Sequence, residues 1–504
     1  MRLSTLLAHA GLSTPVLHVD PDIAGIASDS RQVAPGTIFA ALPSAARPRA
    51  GQEGGADGAM FIPQAIARGA VALLVPEGRV TAGGASDGID PSIAIVAVPD
   101  PRHALARIAS LLAGPAARHV AAITGTNGKS STADFLRQFW SLGGMASASI
   151  GTLGLISDRP VEAPAALTTP DAISLSRTLA ALRAVGVDHV ALEASSHGLE
   201  QGRLDGIALQ AGGFSNLTRD HLDYHGSMDA YRTAKLRLFD RLLPQGSLAA
   251  YNADMDPVTV DALCTLISRR ALRPRSVGER GATIRLRKAR PLPHGQVVSL
   301  DLFGAPLPDY EIPLTGRFQV DNVLLAAAMA WDDDGAARTV LDLLPGLSGV
   351  RGRAEHAATL ASGAGIYVDY AHTPDALENL LRSLRPHASN RLIVVFGAGG
   401  DRDRGKRPLM GAVAARLADL SIVTDDNPRS EDPETIRAAI RAACPDAIEI
   451  GDRRAAIAAA LSEAGAGDVV VVAGKGHESG QTAQGVTVPF DDRAVIRDLA
   501  GIAS

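Results

Sequence analysis

Four times in the last third of the chain a short apolar run breaks directly into a polar or glycine-rich stretch: "GIYVDYAHTPD", "RLIVVFGAGGDRDRGKR", "LSIVTDDNPRSED" and "DVVVVAGKGHES". Runs that stay apolar, rather than alternating with polar residues, predict strands buried on both faces, as in a parallel sheet covered by helices. Ligands bind at the carboxyl ends of such strands, so these loops are expected to converge on one crevice.

The same logic holds upstream. "HVAAITG", "DHVALEAS", "AGGFSNLT" and "GSLAAYNA" predict strands, with "SSTADFLRQFWSLGG" and "AISLSRTLAALRAVG" as helices between them. That alternation predicts a second, mostly parallel sheet with helices on both faces. Residues 282–315 change character, because period-two patterning in "TIRLRKA" and "QVVSLDLF" predicts antiparallel hairpins. "GRFQVDNVLLAAAMAW" then predicts a closing helix. Near the start, "IFAALP" and "AVALLVP" predict strands around a helix in "FIPQAIARGA". "AGGASDGIDPS" reads as a loop, and "PDPRHALARIASLLAG" starts a helix after two prolines, placing a boundary near residue 101. The expected fold class is α/β in three domains: a small α/β domain over 1–101, a central phosphate-loop-type parallel sheet over 102–349, and a Rossmann-like domain over 350–504.

Composition narrows the picture. A chain of 504 residues is too long for one core, and 46% hydrophobic with 20% charged residues excludes a disordered polymer. A net charge of -5 without a long Lys/Arg block argues against nucleic acid as the main partner. The basic stretch "RPRSVGERGATIRLRKARPLPHG" reads as an exposed strand pair. Cys264 and Cys444 form no CxxC pair or zinc spacing, so a reducing cytoplasm is expected. No apolar window approaches the ~20 residues that span a bilayer. "MRLSTLLAHAGLS" is expected to be a short surface helix rather than an export signal.

The clearest chemistry lies in "AAITGTNGKSST", where Gly125, Thr126, Asn127, Gly128, Lys129 and Ser130 form a phosphate-type loop. Its glycines are separated by two residues, where the standard loop has four. Backbone N–H groups at the helix start and the Lys129 ammonium can hold a polyphosphate, and the Ser130 hydroxyl can reach Mg²⁺. The alternative is a glycine turn with an incidental lysine. Glu193 ends one strand, and Asp220, His221, Asp223 and His225 follow the next. A carboxylate and an imidazole at adjacent strand ends could share a magnesium shell, although each alone would pass for a satisfied polar residue. Lys235 sits on a helix with Arg232 and Arg237, and by pattern alone is a solvated charge. In the third domain Arg402, Asp403 and Arg404 share one loop, Asp426, Asn427 and Arg429 a second, and Lys475, His477 and Glu478 a third. Charges of both signs suit a zwitterion such as an amino acid, with a structural ion-pair network as the alternative.

At these residues the chain resembles the Mur ligase family, the ATP-dependent amide ligases of peptidoglycan precursor synthesis, whose compact nucleotide motif reads like Gly125 to Ser131. Within that family the resemblance is to the diaminopimelate-adding branch, and it covers nearly the whole chain. It implies that "DSRQVAPGTIFAAL", with Ser28, Ser30 and Arg31, binds the UDP part of the substrate. Thr168, Thr169, Ser195, Gln201 and Arg203 would hold the muramoyl dipeptide. Lys235 matches the family's carbamylated position, whose added carboxylate binds a second magnesium. Forming the carbamate needs a neutral amine, which neighbouring arginines and metal would favour. Ser130, Glu193, His221 and Lys235 are thus the expected metal set, and Lys129, Lys235, His221 and Glu193 the catalytic one. Asn322, Arg353, Asp369 and His372 match nucleotide-contacting positions. "DNPR", comprising Asp426, Asn427, Pro428 and Arg429, resembles the branch motif whose arginine grips the distal carboxylate of diaminopimelate. Arg402, Gly474 and Glu478 complete that amino-acid site.

The chain also departs from the family pattern. "PSAARPRAGQEGGADG" is longer than usual and lacks the Gly-His-Gln type residues, Leu167 replaces a polar residue, and Gln319 stands where Asn is common. The resemblance implies a monomeric, cytoplasmic ligase that uses ATP and Mg²⁺ to add meso-2,6-diaminopimelate to UDP-N-acetylmuramoyl-L-alanyl-D-glutamate through an acyl phosphate, the third domain closing over the second once ATP binds. The alternatives are a lysine-adding relative, a folylpolyglutamate synthase-like ligase, or a nucleotide-gated switch that joins nothing.

Overall fold

Two parallel sheets carry the first of two compact units, residues 1–276 with 328–330. The computed structural model describes residues 1–12, 17–44, 57–78, 89–162 and 168–502, with the side chain of Asp223 excluded. Most of the long loop at 43–58, most of the predicted loop at 82–92, and Leu167 therefore lie outside the described residues.

The first sheet has the order β1 (Gly25–Ala27), β2 (Thr37–Ala40), β3 (Ala70–Pro76), β4 (Ala94–Val98), all parallel. The predicted strands and the helix between them, Ile62–Ala67, are present. Helix Leu3–His9 buries Leu3, Leu6 and Leu7 in this core, which satisfies its apolar stripe. Helix Pro101–Ala113 adds Ala104, Leu105 and Ile108 to the same core. It starts where Asp100 accepts from the N–H groups of Arg102 and His103, with Pro101 in the first turn.

The second sheet contains β5 (His119–Thr124), β6 (Ser147–Gly151), β7 (Gly154–Ser157), β8 (His189–Glu193), β9 (Ala211–Phe214) and β10 (Leu248–Asn252), in the order β10-β9-β5-β8-β6-β7. Only β7 runs antiparallel, as a hairpin with β6. β5 is central, flanked by β8 and β9. The ends of β8 and β9, expected to be adjacent, are thus separated by the strand that feeds the phosphate loop. The chain builds one side of the sheet through β6 and β8 and then crosses to the other, so the loop sits where the strand order reverses. In doubly wound sheets that reversal opens the ligand crevice.

The second unit comprises residues 277–327 and 331–504. The end of β11 (Arg273–Gly278) runs parallel to β12 (Ile284–Leu292), which turns back antiparallel as β13 (Gly295–Leu302). The predicted hairpin is therefore present, with β14 (Ala305–Pro306) and β15 (Tyr310–Ile312) also paired to β13. Helix Arg317–Met329 follows. The last large sheet is β16 (Glu355–Thr359), β17 (Gly365–Asp369), β18 (Leu392–Phe396), β19 (Leu420–Val423), β20 (Ile448–Glu449) and β21 (Val469–Ala473), in the order β16-β17-β21-β18-β19-β20. The four strands predicted from their apolar runs lie side by side and parallel, as β17-β21-β18-β19. Every residue of β17, β18 and β21 is buried, which is why these strands read as unbroken apolar runs. A second hairpin, β22 (Gly480–Ala483) and β23 (Val486–Pro489), follows β21.

Candidate functional site

The phosphate-type loop leaves β5 and enters helix Lys129–Leu142 directly after Gly128. It is clamped from the segment after β9. The Asn127 N–H donates to Asn216 Oδ1 at 2.9 Å, Asn216 Nδ2 and Ser215 Oγ donate to the Asn127 carbonyl at 3.0 and 2.6 Å, and Thr126 Oγ1 donates to the Thr218 carbonyl at 3.1 Å. Gly125 has φ 147°, and a Cβ there would run into the Ser215 hydroxyl. The short loop is thus closed by a neighbouring strand end rather than by its own length. Ser215 and Asn216 were not singled out by sequence reasoning, though "SNLT" does place two polar side chains at the end of an apolar strand.

Lys129 Nζ donates to the carbonyls of Gly125 and Thr126 at 3.0 and 2.8 Å. Ser130 and Ser131 are buried at the helix start. Lys235, a solvated charge by pattern alone, is only 1% exposed, which overturns that reading. Its Nζ donates to the Gly125 carbonyl at 2.6 Å and lies 4.5 Å from the centre of the Tyr231 ring. Burial, aided by the Lys129 charge, holds its pKa well below the ordinary 10.5. The neighbouring arginines are engaged elsewhere: Arg237 grips Asp205 with two bonds of 2.6 Å, and Arg232 pairs with Asp229. Burial and a second lysine, not those arginines, favour the neutral form of the amine.

Glu193, at the end of β8, is buried and accepts from the Thr152 N–H at 2.7 Å and the Thr152 hydroxyl at 3.2 Å. Thr152 also reaches Thr168 Oγ1 at 3.0 Å, and sequence reasoning missed it because it sits in the tight turn between β6 and β7. Thr169 Oγ1 donates to the Glu193 carbonyl at 2.8 Å, and the Ser195 N–H donates to Thr169 Oγ1 at 3.0 Å. Arg203 donates to the Thr169 carbonyl at 2.5 Å and to Gln201 Oε1 at 2.8 Å. Thr168, Thr169, Ser195, Gln201 and Arg203 thus form one connected polar group around Glu193. His221 has φ 51° and lies 3.5 Å from Asp220, both partly exposed. His225 is instead buried against Ser196 Oγ at 2.9 Å and Glu200 at 3.4 Å, the satisfied polar residue of the alternative reading. In the first sheet, Ser30 Oγ donates to Gln64 at 2.7 Å, Arg31 pairs with Asp29 at 2.7 Å, and Ser28 is exposed.

In the second unit, Asp369 ends β17 with both carboxylate oxygens taken, by the N–H groups of Ala354 at 2.6 Å and Ala371 at 2.7 Å. Burial raises its pKa above the usual carboxylate value. Gln319 Nε2 donates to the Arg353 carbonyl at 2.7 Å, and Asn322 donates to Gln319 Oε1 at 3.3 Å. The unusual Gln319 therefore ties the predicted Asn322 and Arg353 together. The Arg353 guanidinium stacks 4.8 Å from the Tyr370 ring, whose other neighbours are the rings of His372 at 4.6 Å and His477 at 5.2 Å. Lys406 Nζ donates to the His372 carbonyl at 2.9 Å.

The loops after β18, β19 and β21 converge as expected. Asn427 Nδ2 donates to Glu478 Oε2 at 2.9 Å, and the fully buried Lys475 donates to Asn427 Oδ1 at 3.3 Å and Glu478 Oε2 at 3.5 Å. Arg429 has φ 54° and donates through Nη1 to the Gly400 carbonyl at 2.8 Å. The Glu431 N–H donates to the Pro428 carbonyl at 3.1 Å. Gly474 has φ 118°, and a Cβ there would collide with the Asp426 carboxylate. The 401–404 loop divides: Arg404 pairs with Glu431 at 3.2 Å, Asp403 accepts from the Gly405 N–H at 2.8 Å, and Arg402 is exposed. Beneath these loops Arg453 and Asp492, each 0% exposed, form a two-bond pair at 2.7 and 2.8 Å. Arg453 also donates to the carbonyls of Ala473 at 3.0 Å and Asp425 at 3.4 Å, just before Gly474 and Asp426. No sequence signal distinguished this pair from surface charges.

Comparison with known proteins matches residues 123–330 to the Mur ligase middle domain and 352–476 to the Mur ligase, glutamate ligase domain. The chain is 48% identical over 489 residues to UDP-N-acetylmuramoyl-L-alanyl-D-glutamate--2,6-diaminopimelate ligase of Caulobacter vibrioides, covering 96% of each chain. A solved structure of a ligase of that name aligns with a TM-score of 0.68 at 34% identity, covering 95% of each chain. A Mycobacterium tuberculosis folylpolyglutamate synthase complexed with ADP and AMPPCP aligns at 0.59, with 19% identity, over 74% of this chain and 92% of that one. That last likeness carries the fold alone. Among the described residues no helix is long and apolar enough to cross a membrane.

Proposed function

The chain belongs to the Mur ligase family, and from that premise we infer that it is the ATP-dependent amide ligase that adds meso-2,6-diaminopimelate to UDP-N-acetylmuramoyl-L-alanyl-D-glutamate in peptidoglycan precursor synthesis. The observation that carries this reading furthest is Arg429, held in the left-handed region with its guanidinium against the carbonyls of Gly400 and Asn427, the same Asn427 whose side chain bonds Glu478. A guanidinium and a carboxylate carried by one cluster of loops suit an amino acid with a second carboxylate beyond its ammonium group.

ATP binds on Gly125 to Ser131, where the helix start and Lys129 face its phosphates. The D-glutamyl γ-carboxylate attacks the γ-phosphorus, the bond to ADP breaks, and an acyl phosphate forms. The amine of diaminopimelate then attacks the acyl carbon, loses a proton and expels phosphate, leaving the amide. Lys129 stabilises charge on the transferring group. The buried Lys235 amine, in the neutral form that burial favours, combines with carbon dioxide and releases a proton, giving a carbamate. That chemistry fits magnesium, because Ser130, Glu193, His221 and the carbamate are oxygen and imidazole donors. Bound there, Mg²⁺ would offset negative charge on the phosphates. Thr168, Thr169, Ser195, Gln201 and Arg203 orient the dipeptide, Ser28, Ser30 and Arg31 the uridine end, and Asn322, Arg353, Asp369 and His372 the nucleotide. Arg402, Asp426, Asn427, Pro428, Arg429, Gly474 and Glu478 hold diaminopimelate.

We assign these tasks to segments 1–101, 102–349 and 350–504 of a cytoplasmic monomer. The test is phosphate release from ATP and the UDP-muramoyl dipeptide, with diaminopimelate compared against L-lysine. Diaminopimelate alone should drive it. Equal or better release with lysine would overturn the role given to Arg429, and release with neither would overturn the substrate.

A further inference from the structure

The hairpin β22–β23 does not belong to the large sheet, yet its first strand and turn are bonded to Asp426, Asn427 and Arg429 of the "DNPR" segment. Gln481 Nε2 donates to the Asp426 carbonyl at 2.9 Å and approaches the Asp425 carbonyl at 3.4 Å. The Thr482 N–H donates to Asn427 Oδ1 at 2.9 Å. The Arg429 N–H donates to the Thr482 carbonyl at 2.9 Å, and the Gln484 N–H donates to the Arg429 carbonyl at 2.5 Å. Arg429 and Ala483 thereby form an isolated parallel bridge.

These bonds act on groups that the amino-acid site needs fixed. Asn427 Oδ1 faces Thr482 and Lys475, so its Nδ2 must face Glu478, which settles the orientation of that amide. Arg429 adopts φ 54°, a conformation that a long L side chain takes up only when its surroundings impose it. The hairpin imposes it from both sides, through the Arg429 N–H and carbonyl. Its other strand, β23, is exposed throughout, so the hairpin is not held in place by a buried core of its own. The Thr482 and Thr487 hydroxyls, 2.9 Å apart, and the Phe490 N–H donating to the Ser479 carbonyl at 3.0 Å brace it instead.

We propose that the hairpin Gly480–Pro489 is a specificity-determining element that sets the conformation of Arg429 and Asn427, with Gln481 as its positioning residue. The proposal rests on the assignment of Arg429 to the distal carboxylate of diaminopimelate. The Gln481 amide acts through the backbone at Asp426, where the loop turns toward Asn427. Losing that donor leaves the Asp426 carbonyl without its side-chain partner and the Asp425 carbonyl with Arg453 alone, and lets the segment drift.

Gln481→Met keeps length and volume and removes the donor. It is expected to raise the KM for diaminopimelate about tenfold, leave kcat within about twofold and the KM for ATP unchanged, and lower the preference for diaminopimelate over lysine. Gln481→Glu points a carboxylate at the same carbonyls and should raise the KM further. An unchanged KM for diaminopimelate in both variants, or a parallel change in the KM for ATP and in kcat, would overturn the proposal. A normal KM in Gln481→Glu overturns it even where the Met variant cannot be isolated. If the unaltered protein shows no diaminopimelate-dependent phosphate release, the functional reading falls and this inference with it; if it does and the variants match it, the inference alone falls.

Discussion

Lys129 and Lys235 donate to one oxygen, the carbonyl of Gly125, at 3.0 and 2.6 Å. Two ammonium groups cannot share that point cheaply, and burial favours the neutral form of Lys235. Lys235→Met fills the same space without an amine. It should melt within a few degrees of the unaltered protein, yet lose at least about 100-fold in phosphate release if Lys235 carries the proposed carbamate. A variant that is both stable and active would remove Lys235 from the reaction.

Lys129 folds back onto its own loop, through Gly125 and Thr126. Polyphosphate offers it better partners, so Lys129→Ala is expected to cost about a thousandfold or more in turnover and to weaken ATP binding. Turnover assays together with nucleotide titration check both effects.

Gly474→Ala places a methyl group against the Asp426 carboxylate at φ 118°. The expected outcome is a loss of about 1–3 kcal/mol in stability and a raised KM for the amino acid, with the KM for ATP unchanged. Denaturant unfolding and initial rates measure the two.

Arg453 and Asp492 are fully buried and bonded to each other. Asp492→Leu leaves an uncompensated guanidinium and should cost about 3–5 kcal/mol, whereas Arg453→Met combined with Asp492→Leu should recover most of that. A double-mutant cycle in urea gives the coupling. The double variant should still show a raised KM for the amino acid, since the carbonyls of Ala473 and Asp425 lose their donor.

His477 is held at a pKa of about 4, against an ordinary 6.5, by burial and then by the charges of Arg353 and Arg351. Between those values the unfolded chain binds a proton that the fold refuses, so this contribution to stability is full above pH 6.5 and falls as the pH drops toward 4. His477→Gln should flatten the acid side of the stability curve across that window. Urea midpoints at several pH values measure it, and an unchanged slope would show that His477 titrates normally.

The strands of the large sheets were readable because burial on both faces writes an unbroken apolar run, as in β18 and β21. β1 and β20 were not, because three residues and two residues leave no period to detect. The phosphate-type loop was readable from its glycines and Lys129, since few local structures need that pattern. What closes the loop was not: Ser215 and Asn216 lie about ninety positions away, and only the sheet order brings them to it.

Charged side chains were harder still. Lys235 and Arg453 look like neighbouring exposed arginines in the sequence, and nothing local records that one faces the Gly125 carbonyl and the other a buried carboxylate. Other candidates also have local partners: His225 is buried against Ser196, and Asp403 accepts from the Gly405 N–H in its own loop. The loop at 43–58 was flagged as unlike the family's, and most of it lies outside the described residues.

β21 is the last strand of its sheet to be synthesised, and it inserts between β17 and β18, made some hundred and some seventy-five residues earlier. Until it emerges from the ribosome, those two strands have no common partner and their apolar edges are open. A chain stopped before residue 469 would therefore carry the phosphate-type loop but not the loop at 474–478, together with two unpaired strand edges. Such a fragment is expected to associate through those open edges rather than persist as a monomer.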